Sequence, residues 1–192
     1  METEAEIIRS RRKTVSIQIV PPGRVVVRAP AAMSRKTILK LLEEKRSWIT
    51  AHLARAQERE TEKEQIPRMT RAELEALKKK AEAELLPRLR VWAGKAGVTY
   101  HRVTFRSQRT RWGSCSARGN LSLNCLLALC PREAADYVMV HELCHRREMN
   151  HSARFWAEVE RVMPDYRPAR EWLRKNGPFL MARLPEKEAG KA

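Results

Sequence analysis

Residues 141–145 read His141-Glu142-Leu143-Cys144-His145, within a segment predicted to form a helix from Pro131 to about Met149. Histidines four residues apart lie on one face of a helix, so both imidazole rings can reach one metal ion. Glu142 lies about 100° around the helix from His141, and it can reach a water molecule beside the metal without being a ligand. The stretch therefore predicts a metal centre on a helix, with Glu142 as general base.

A catalytic zinc site normally has three protein ligands and one open position. His151 is the predicted third ligand, because it follows His145 after five intervening residues and lies past the expected end of the helix. Met149 and Asn150 must then reverse the chain, and Asn150 tolerates the left-handed backbone conformation. Zinc is the predicted cofactor, although a site of three histidines also accepts nickel, cobalt or copper.

The next helix, predicted for residues 153–163 after a Ser152 cap, offers an alternative third ligand in Glu158 or Glu160. Phe155 and Trp156 on the same helix are expected to be core residues rather than platforms for a substrate.

The order of the remaining elements predicts an α+β fold, with a small antiparallel sheet packed on the helix that carries the metal ligands. Residues 14–20 and 24–28 alternate as strands around Pro21-Pro22-Gly23, which indicates an N-terminal β-hairpin. Ser34 is expected to cap a helix that follows the hairpin, and Thr70-x-x-Glu73 has the spacing of a capping box.

Further along the chain, Pro87 is expected to kink or split the helix that begins at Thr70. Extended runs at 98–106, around 111–113 and at 121–124 are expected to form the small sheet. A last short helix is predicted at 168–175 and is expected to end at Asn176-Gly177-Pro178. These elements predict an N-terminal β-hairpin plus helix (1–60), a connector (61–69), a catalytic domain (70–183) and a flexible tail (184–192).

Composition excludes several classes of protein. The chain has 192 residues, a formal charge of +16 and four cysteines without a Cys-x-x-Cys pair. The apolar runs are too short to span a bilayer, and residues 1–10 lack the apolar core of a signal peptide. A cytoplasmic protein with reduced thiols and no membrane association is therefore expected.

The positive charge is concentrated in one stretch. Between Glu84 and Glu133 the sequence has nine basic residues and no acidic one. Such a stretch attracts anions, including nucleic acid and nucleotides. Arg109 and Arg111 point to the same side if their segment is extended, and there they could bind a phosphate or a substrate carboxylate.

Two tyrosines are candidates for stabilising an oxyanion. Tyr137 lies one helical turn before His141, and Tyr166 follows Pro164-Asp165. Asp136 or Asp165 could orient a ligating imidazole. The sequence does not discriminate between the members of either pair.

Several ordered motifs resemble the YgjP-like metallopeptidases, which are zincin-fold proteins related to the SprT-like and WLM groups. The resemblance covers most of the chain, and the motifs that carry it are Arg109-Thr110-Arg111-Trp112-Gly113-Ser114-Cys115-Ser116, Leu121-x-Leu123-Asn124, Asp136-Tyr137-Val138-x-x-His141-Glu142-Leu143-x-His145 and His151-Ser152-x-x-Phe155-Trp156. It implies a zincin-like catalytic domain with zinc bound by His141, His145 and His151 and with Glu142 as catalytic base. The spacing to His151 also matches the metzincin pattern, with Glu148 in place of its turn glycine.

Three functions follow from these features. The leading prediction is a zinc-dependent hydrolase that acts as a metallopeptidase. An alternative keeps the metal but hydrolyses a nucleoside triphosphate, since some members of the family have been linked to hydrolysis of UTP. A nucleic-acid-associated protease or binding module is the third, by analogy with the SprT-like and WLM groups.

Overall fold

The computed structural model describes residues 5–20 and 22–186 and divides the chain into two compact units, residues 1–65 and 66–192. Its strands are β1 (Ala5–Ser10), β2 (Ser16–Val20), β3 (Arg24–Pro30), β4 (Arg102–Arg106), β5 (Gly113–Cys115) and β6 (Asn120–Asn124). Its α-helices are α1 (Arg35–Glu44), α2 (Arg46–Glu64), α3 (Arg71–Ala96), α4 (Arg132–Cys144), α5 (Ala153–Val162) and α6 (Tyr166–Ala182), with a 3-10 helix at Cys125–Leu129. The predicted α+β class is confirmed.

In the first unit, β3 is the central strand of a three-stranded sheet, and the predicted hairpin is formed by β2 and β3. Gly23 closes its turn by donating a backbone hydrogen bond to Val20 over 2.9 Å, at a φ of +123° that other residues rarely adopt. The sequence did not predict β1, which pairs with β3 in parallel. Its apolar residues Ile7 and Ile8 are too few, among charged neighbours, to indicate a strand.

The helices of the first unit begin as predicted, since the Ser34 hydroxyl accepts a hydrogen bond from the Thr37 amide over 3.1 Å. The expected single helix is interrupted at Lys45, and α2 then continues to Glu64. The segment expected to be a connector from residue 61 is therefore helical in its first turn. Val27, Ala29 and Ile38 form the buried core of this unit.

The second unit begins with α3, which has the predicted capping box: the Glu73 amide donates to the Thr70 hydroxyl, and the Thr70 amide donates to the Glu73 carboxylate. The helix continues through Pro87 without the expected break and ends at Gly97, whose φ is +65°. The apolar residues of α3 before and after Pro87 form a buried stripe. This packing offsets the backbone hydrogen bond that the proline nitrogen cannot donate. The stripe consists of Leu77, Ala81, Leu85, Leu89 and Ala93.

The sheet of the second unit is mixed and not wholly antiparallel as predicted. The strand order is β4-β6-β5, with β5 antiparallel and β4 parallel to β6. Residues 107–112 carry the chain from β4 to the other side of β6, and β5 then runs in the opposite direction. Alternating apolar residues are the same in parallel and antiparallel strands, so the pattern did not show this crossing.

Packing around α4 places the metal-site helix at the centre of the second unit. Leu121 and Leu123 of β6 and Met139 and Leu143 of α4 are fully or almost fully buried in one core. This core also contains the stripe of α3. The helix that carries the histidines is thus fixed by apolar contacts on several sides.

Two helix ends differ from the sequence prediction. The helix α4 ends at Cys144, about one turn earlier than expected. The helix α6 continues through Gly177 and Pro178 to Ala182, where the sequence predicted a stop. Gly177 has a packing role instead, since a Cβ there would lie 2.9 Å from the Trp112 indole.

The structure differs from the predicted flexible tail at its first residue, Leu184. Leu184 is buried, and the Arg183 carbonyl accepts a hydrogen bond from the Met69 amide over 2.7 Å. Leu184 therefore packs in the core of the second unit and Glu186 is exposed, while residues 187–192 of the predicted tail lie outside the described residues.

No helix in the described ranges combines the length and the apolar character needed to cross a membrane.

The ion pair between Arg88 on α3 and Asp136 on α4 joins two central helices over 2.6 Å, and both side chains are largely buried. We expect Arg88→Gln to lower the free energy of unfolding by about 2 kcal/mol, because it leaves the Asp136 carboxylate buried without its main partner. Urea unfolding of the full chain measures this change.

Lys80→Gln is the matched control, since Lys80 pairs with Glu84 on the same helix at 3.9 Å with both side chains half exposed. It should change the free energy of unfolding by less than about 0.5 kcal/mol. Equal losses in the two variants would contradict a structural role for the Arg88–Asp136 pair.

Candidate metal centre

Three histidines from the end of α4 and the start of α5 converge. His141 lies in the last turn of α4, His145 directly follows that helix, and His151 precedes Ser152, the N-cap of α5. One ligand atom from each ring lies within 4.8 Å of those of the other two. The Nε2 atoms of His141 and His151 are 3.0 Å apart.

The turn that returns His151 to α4 is fixed by two arginines. Arg146 donates to the carbonyls of Thr99 and Ala117, and Arg147 donates to the carbonyls of Ala96 and Gly97. These bonds connect the turn to the end of α3 and to the β5–β6 connection. The predicted left-handed conformation of Asn150 is wrong, because no non-glycine residue of the described chain has a positive φ.

His141 and His145 are in the neutral form that binds a metal ion. The Nδ1 atom of His145 lies 3.0 Å from the Glu148 carbonyl, which can only accept, so Nδ1 carries the proton and Nε2 keeps its lone pair. Burial, helped by the neighbouring histidines and Arg170, lowers the pKa of His141 to about 3. Burial also lowers the pKa of His145. Both rings are therefore neutral at pH 7, which is the form that binds metal.

Phe155 packs at the back of the histidine cluster. Its ring stacks on His145 at 4.5 Å and meets His141 and His151 edge-on, each at 4.8 Å. Phe155 is fully buried, in agreement with its predicted place in the core. The packing limits rotation of all three imidazoles, so a donor set of three ring nitrogens, with His141 and His145 neutral, fits a divalent metal such as zinc.

Glu142 faces the same cleft as the histidines, although only 5% of it is exposed. Gly113 on β5 lies directly against it, and a Cβ at that position would be 2.6 Å from both Cγ and Oε1 of Glu142. Burial raises the pKa of Glu142 to about 7, while the Arg111 guanidinium acts in the opposite direction. A carboxylate held in this way can exchange protons with water in the cleft.

The cleft has a volume of about 540 Å³. In addition to the histidines and Glu142, all three residues of β5, Gly113–Cys115, line the cleft. Apolar groups from Trp112, Val138 and Leu173 also line it. The arginines that line it are Arg111, Arg170 and Arg174.

The two candidate tyrosines occupy different places. Tyr137 lines the cleft, and burial raises its pKa to about 12, so its hydroxyl stays protonated. Tyr166 stacks on Tyr137 at 5.9 Å and on Trp156 at 5.7 Å, and it is not among the residues that line the cleft. Its ring supports Tyr137 from behind.

The two candidate arginines differ in their contacts. Arg111 lines the cleft and also a second depression, which Arg109 lines as well. Arg109 does not line the cleft, and it donates to the carbonyls of Leu184 and Pro185. The segment between β4 and β5 is not a strand, and joint binding of an anion by both arginines stays a prediction.

The alternative acidic ligands are engaged elsewhere. Glu158 pairs with Arg161 at 2.8 Å and lies 3.8 Å from Arg147, while Glu160 pairs with Arg167 at 2.9 Å. Neither belongs to the cluster of converging ligand atoms found in the described chain.

Asp136, proposed from the sequence to orient an imidazole, instead accepts a hydrogen bond from Arg88. The Nδ1 atom of His141 is buried and has no hydrogen-bond partner among the described residues.

Sequence reasoning missed Arg170 and the contact between Gly113 and Glu142. Arg170 lies on α6, in a part of the chain with no motif of its own. Gly113 was named only as part of the motif Arg109–Ser116, and nothing in the pattern showed that its neighbour is Glu142. Arg170 could have been found only through the spacing that places it one turn after Tyr166.

A protein family and a solved structure are similar to parts of this chain. The model of the YgjP-like metallopeptidase domain matches residues 13–73 and 62–176. Among solved structures, the crystal structure of the metallopeptidase zymogen of Pyrococcus abyssi abylysin aligns with a TM-score of 0.42 and 26% sequence identity, over 50% of this chain and 95% of that one. A search of curated proteins found no match.

The close approach of Gly113 to Glu142 predicts the effect of an added methyl group. We expect Gly113→Ala to lower the free energy of unfolding by about 1–3 kcal/mol, because the Glu142 carboxylate must move away from the new Cβ. Urea unfolding measures the loss, and a crystal structure of the variant should show the displaced carboxylate.

Gly94→Ala is the matched control, since a Cβ at this position in α3 meets nothing within 4 Å. Alanine favours a helix, so this variant should be more stable by about 0.5–1 kcal/mol. A Gly113→Ala variant as stable as the original protein, with Glu142 unmoved, would refute the steric relation.

Proposed function

This chain belongs to the YgjP-like metallopeptidase family, and we propose that it hydrolyses peptide bonds with one zinc ion held by His141, His145 and His151. Glu142 is the general base of the proposed reaction. The observation that carries the proposal is the convergence of three imidazoles beside a carboxylate that faces the same cleft. Three histidines with an open fourth position form a donor set that zinc favours in catalytic sites.

When bound, zinc supplies Lewis-acid chemistry, polarising the scissile carbonyl and lowering the pKa of water. Residues of the chain carry out the proton transfers and orient the reacting groups. Glu142 removes a proton from the attacking water and later delivers it to the leaving amine. Gly113 leaves just enough room for the Glu142 side chain, so the carboxylate stays directed into the cleft.

The strand β5 is proposed to orient the substrate. It lies at the edge of its sheet, pairs only with β6 among the described strands, and lines the cleft along its whole length. An extended peptide could add to this edge by backbone hydrogen bonds, which hold a substrate without selecting its sequence. Its scissile bond would then lie beside Glu142.

Tyr137 is the proposed oxyanion donor. Its hydroxyl is protonated at neutral pH, it lines the cleft, and its ring lies 5.9 Å from that of His141. Donation of a hydrogen bond to the developing negative charge would stabilise the transition state. The Tyr166 ring maintains the position of Tyr137 by stacking on it.

Replacing Glu142 with glutamine tests the catalytic assignment. We expect Glu142→Gln to reduce kcat for peptide cleavage by at least about 100-fold, because the amide cannot accept the proton of the attacking water. Zinc content should be unchanged, since Glu142 is not a ligand. Mass spectrometry of a synthetic peptide library and metal analysis of the same samples measure both.

Glu133→Gln is the control for this experiment, since Glu133 is an exposed residue in the first turn of the same helix. It should retain the activity of the original protein. Full activity of Glu142→Gln would remove the proposed base from the mechanism.

Replacing a ligand tests the metal site independently of activity. We expect His151→Ala to bind zinc at least about 100-fold more weakly, because two histidines cannot complete the site. Competition with a chromophoric chelator measures the affinity. His101→Ala, a change at an exposed histidine just before β4, should bind zinc as tightly as the original protein.

If His151→Ala keeps its zinc affinity, the third ligand must come from another residue. The proposed set of three histidines would then be wrong.

A further inference from the structure

The cleft carries positive charge that the described part of the protein does not neutralise. Of its three arginines, Arg174 is bound by Glu171 through two hydrogen bonds of 2.6 and 2.7 Å. Arg111 and Arg170 have no acidic hydrogen-bond or ion-pair partner among the described residues. Glu142, already assigned to catalysis, is the one acidic residue in the described lining.

Arg170 is held in a way that leaves its donors available. Its guanidinium lies over the ring of Trp156, 4.5 Å from the centroid. A guanidinium that lies over an aromatic ring keeps N–H groups that can bind a carboxylate in bidentate fashion. A ring that itself packs near the histidines thus fixes the position of this charge.

The charge of Arg170 acts on the centre of the site. Arg170 and Arg111 both line the cleft that the three histidines and Glu142 also line. Two arginines from different elements therefore create a positive potential where the substrate must lie, and a low-dielectric cleft concentrates such a potential.

The rest of the lining indicates what kind of anion fits. Trp112, Val138 and Leu173 form apolar surface that suits an aliphatic or aromatic side chain. A nucleoside triphosphate carries about four negative charges and is usually bound with Mg²⁺ through carboxylates. The described cleft offers no carboxylate except Glu142, so a peptide that carries one carboxylate is the better match.

We propose that Arg170, assisted by Arg111, makes this site selective for peptides that carry a carboxylate next to the scissile bond. The inference rests on the proposed peptidase function and adds the class of substrate. The carboxylate comes either from an aspartate or glutamate side chain or from the C-terminus of the peptide. Charge-assisted hydrogen bonds from the guanidinium bind both in the same manner.

Matched peptides test the selectivity in the full-length, zinc-loaded protein. One pair differs only by Asp or Asn beside the cleaved bond, and a second pair has either a free or an amidated C-terminus. We expect kcat/KM to be higher for the carboxylate member of one pair, and Arg170→Gln to reduce that ratio by about fivefold to tenfold. The pair that responds identifies the source of the carboxylate.

Arg167→Gln is the matched control. Arg167 lies on the same helix and also over an aromatic ring, 5.3 Å from the centroid of Tyr166, but it pairs with Glu160 and does not line the cleft. It should leave the ratio unchanged. Arg170→Glu should reverse the preference toward a peptide with lysine at the tested position, a gain that loss of folding cannot produce.

Binding to the Glu142→Gln variant separates this inference from the proposed function. Fluorescence anisotropy with the same labelled peptides should show tighter binding of the carboxylate member, and Arg170→Gln in that background should abolish the difference. If binding shows the preference but no peptide is cleaved by the original protein, the peptidase proposal fails and the carboxylate site stands. Equal binding of both members, an unchanged ratio in Arg170→Gln, or Arg170-dependent hydrolysis of UTP in place of peptides would each overturn the inference.

Discussion

A metal site formed by His141, His145 and His151 requires three imidazoles within a few ångströms of one another at the end of α4. The helix itself packs in an apolar core, and the other elements of the second unit hold the three rings in place. The i, i+4 geometry of α4 brings two of the rings together without further help. The third depends on the turn after His145, where the guanidinium groups of Arg146 and Arg147 bind four backbone carbonyls from α3 and the sheet. Phe155 then fills the space behind the rings, so the cluster is closed by packing as well as by hydrogen bonds.

Features set by local spacing could be predicted from the sequence. The capping box at Thr70, the Ser34 and Ser152 caps and the facing histidines all depend on residues within one or two turns. Features that depend on contacts between distant parts of the chain could not be predicted from the sequence. The parallel pairing of β4 with β6 has the same alternation as an antiparallel pair, and Gly177 lies inside α6 because the Trp112 indole needs the space beside it.

The acid-free stretch between Glu84 and Glu133 has several roles rather than one. Arg88 neutralises Asp136, Arg109 binds backbone carbonyls, and Lys95 lies over the Trp92 ring. Of the two arginines that the sequence analysis singled out there, Arg111 alone lines the cleft, and its partner in the proposed selectivity, Arg170, lies far beyond the stretch. The fold thus uses some of these positive side chains in stabilising contacts and places another, Arg111, in the cleft.

The central claim is that one zinc ion is bound by His141, His145 and His151 beside a Glu142 that is not a ligand. Anomalous diffraction at the zinc absorption edge, from crystals of the full chain grown with zinc, tests it most directly. We expect a single strong peak about 2.0–2.1 Å from a ring nitrogen of each histidine, with the Glu142 carboxylate outside the coordination sphere. A peak elsewhere, or one coordinated by Glu158 or Glu160 in place of His151, would contradict it.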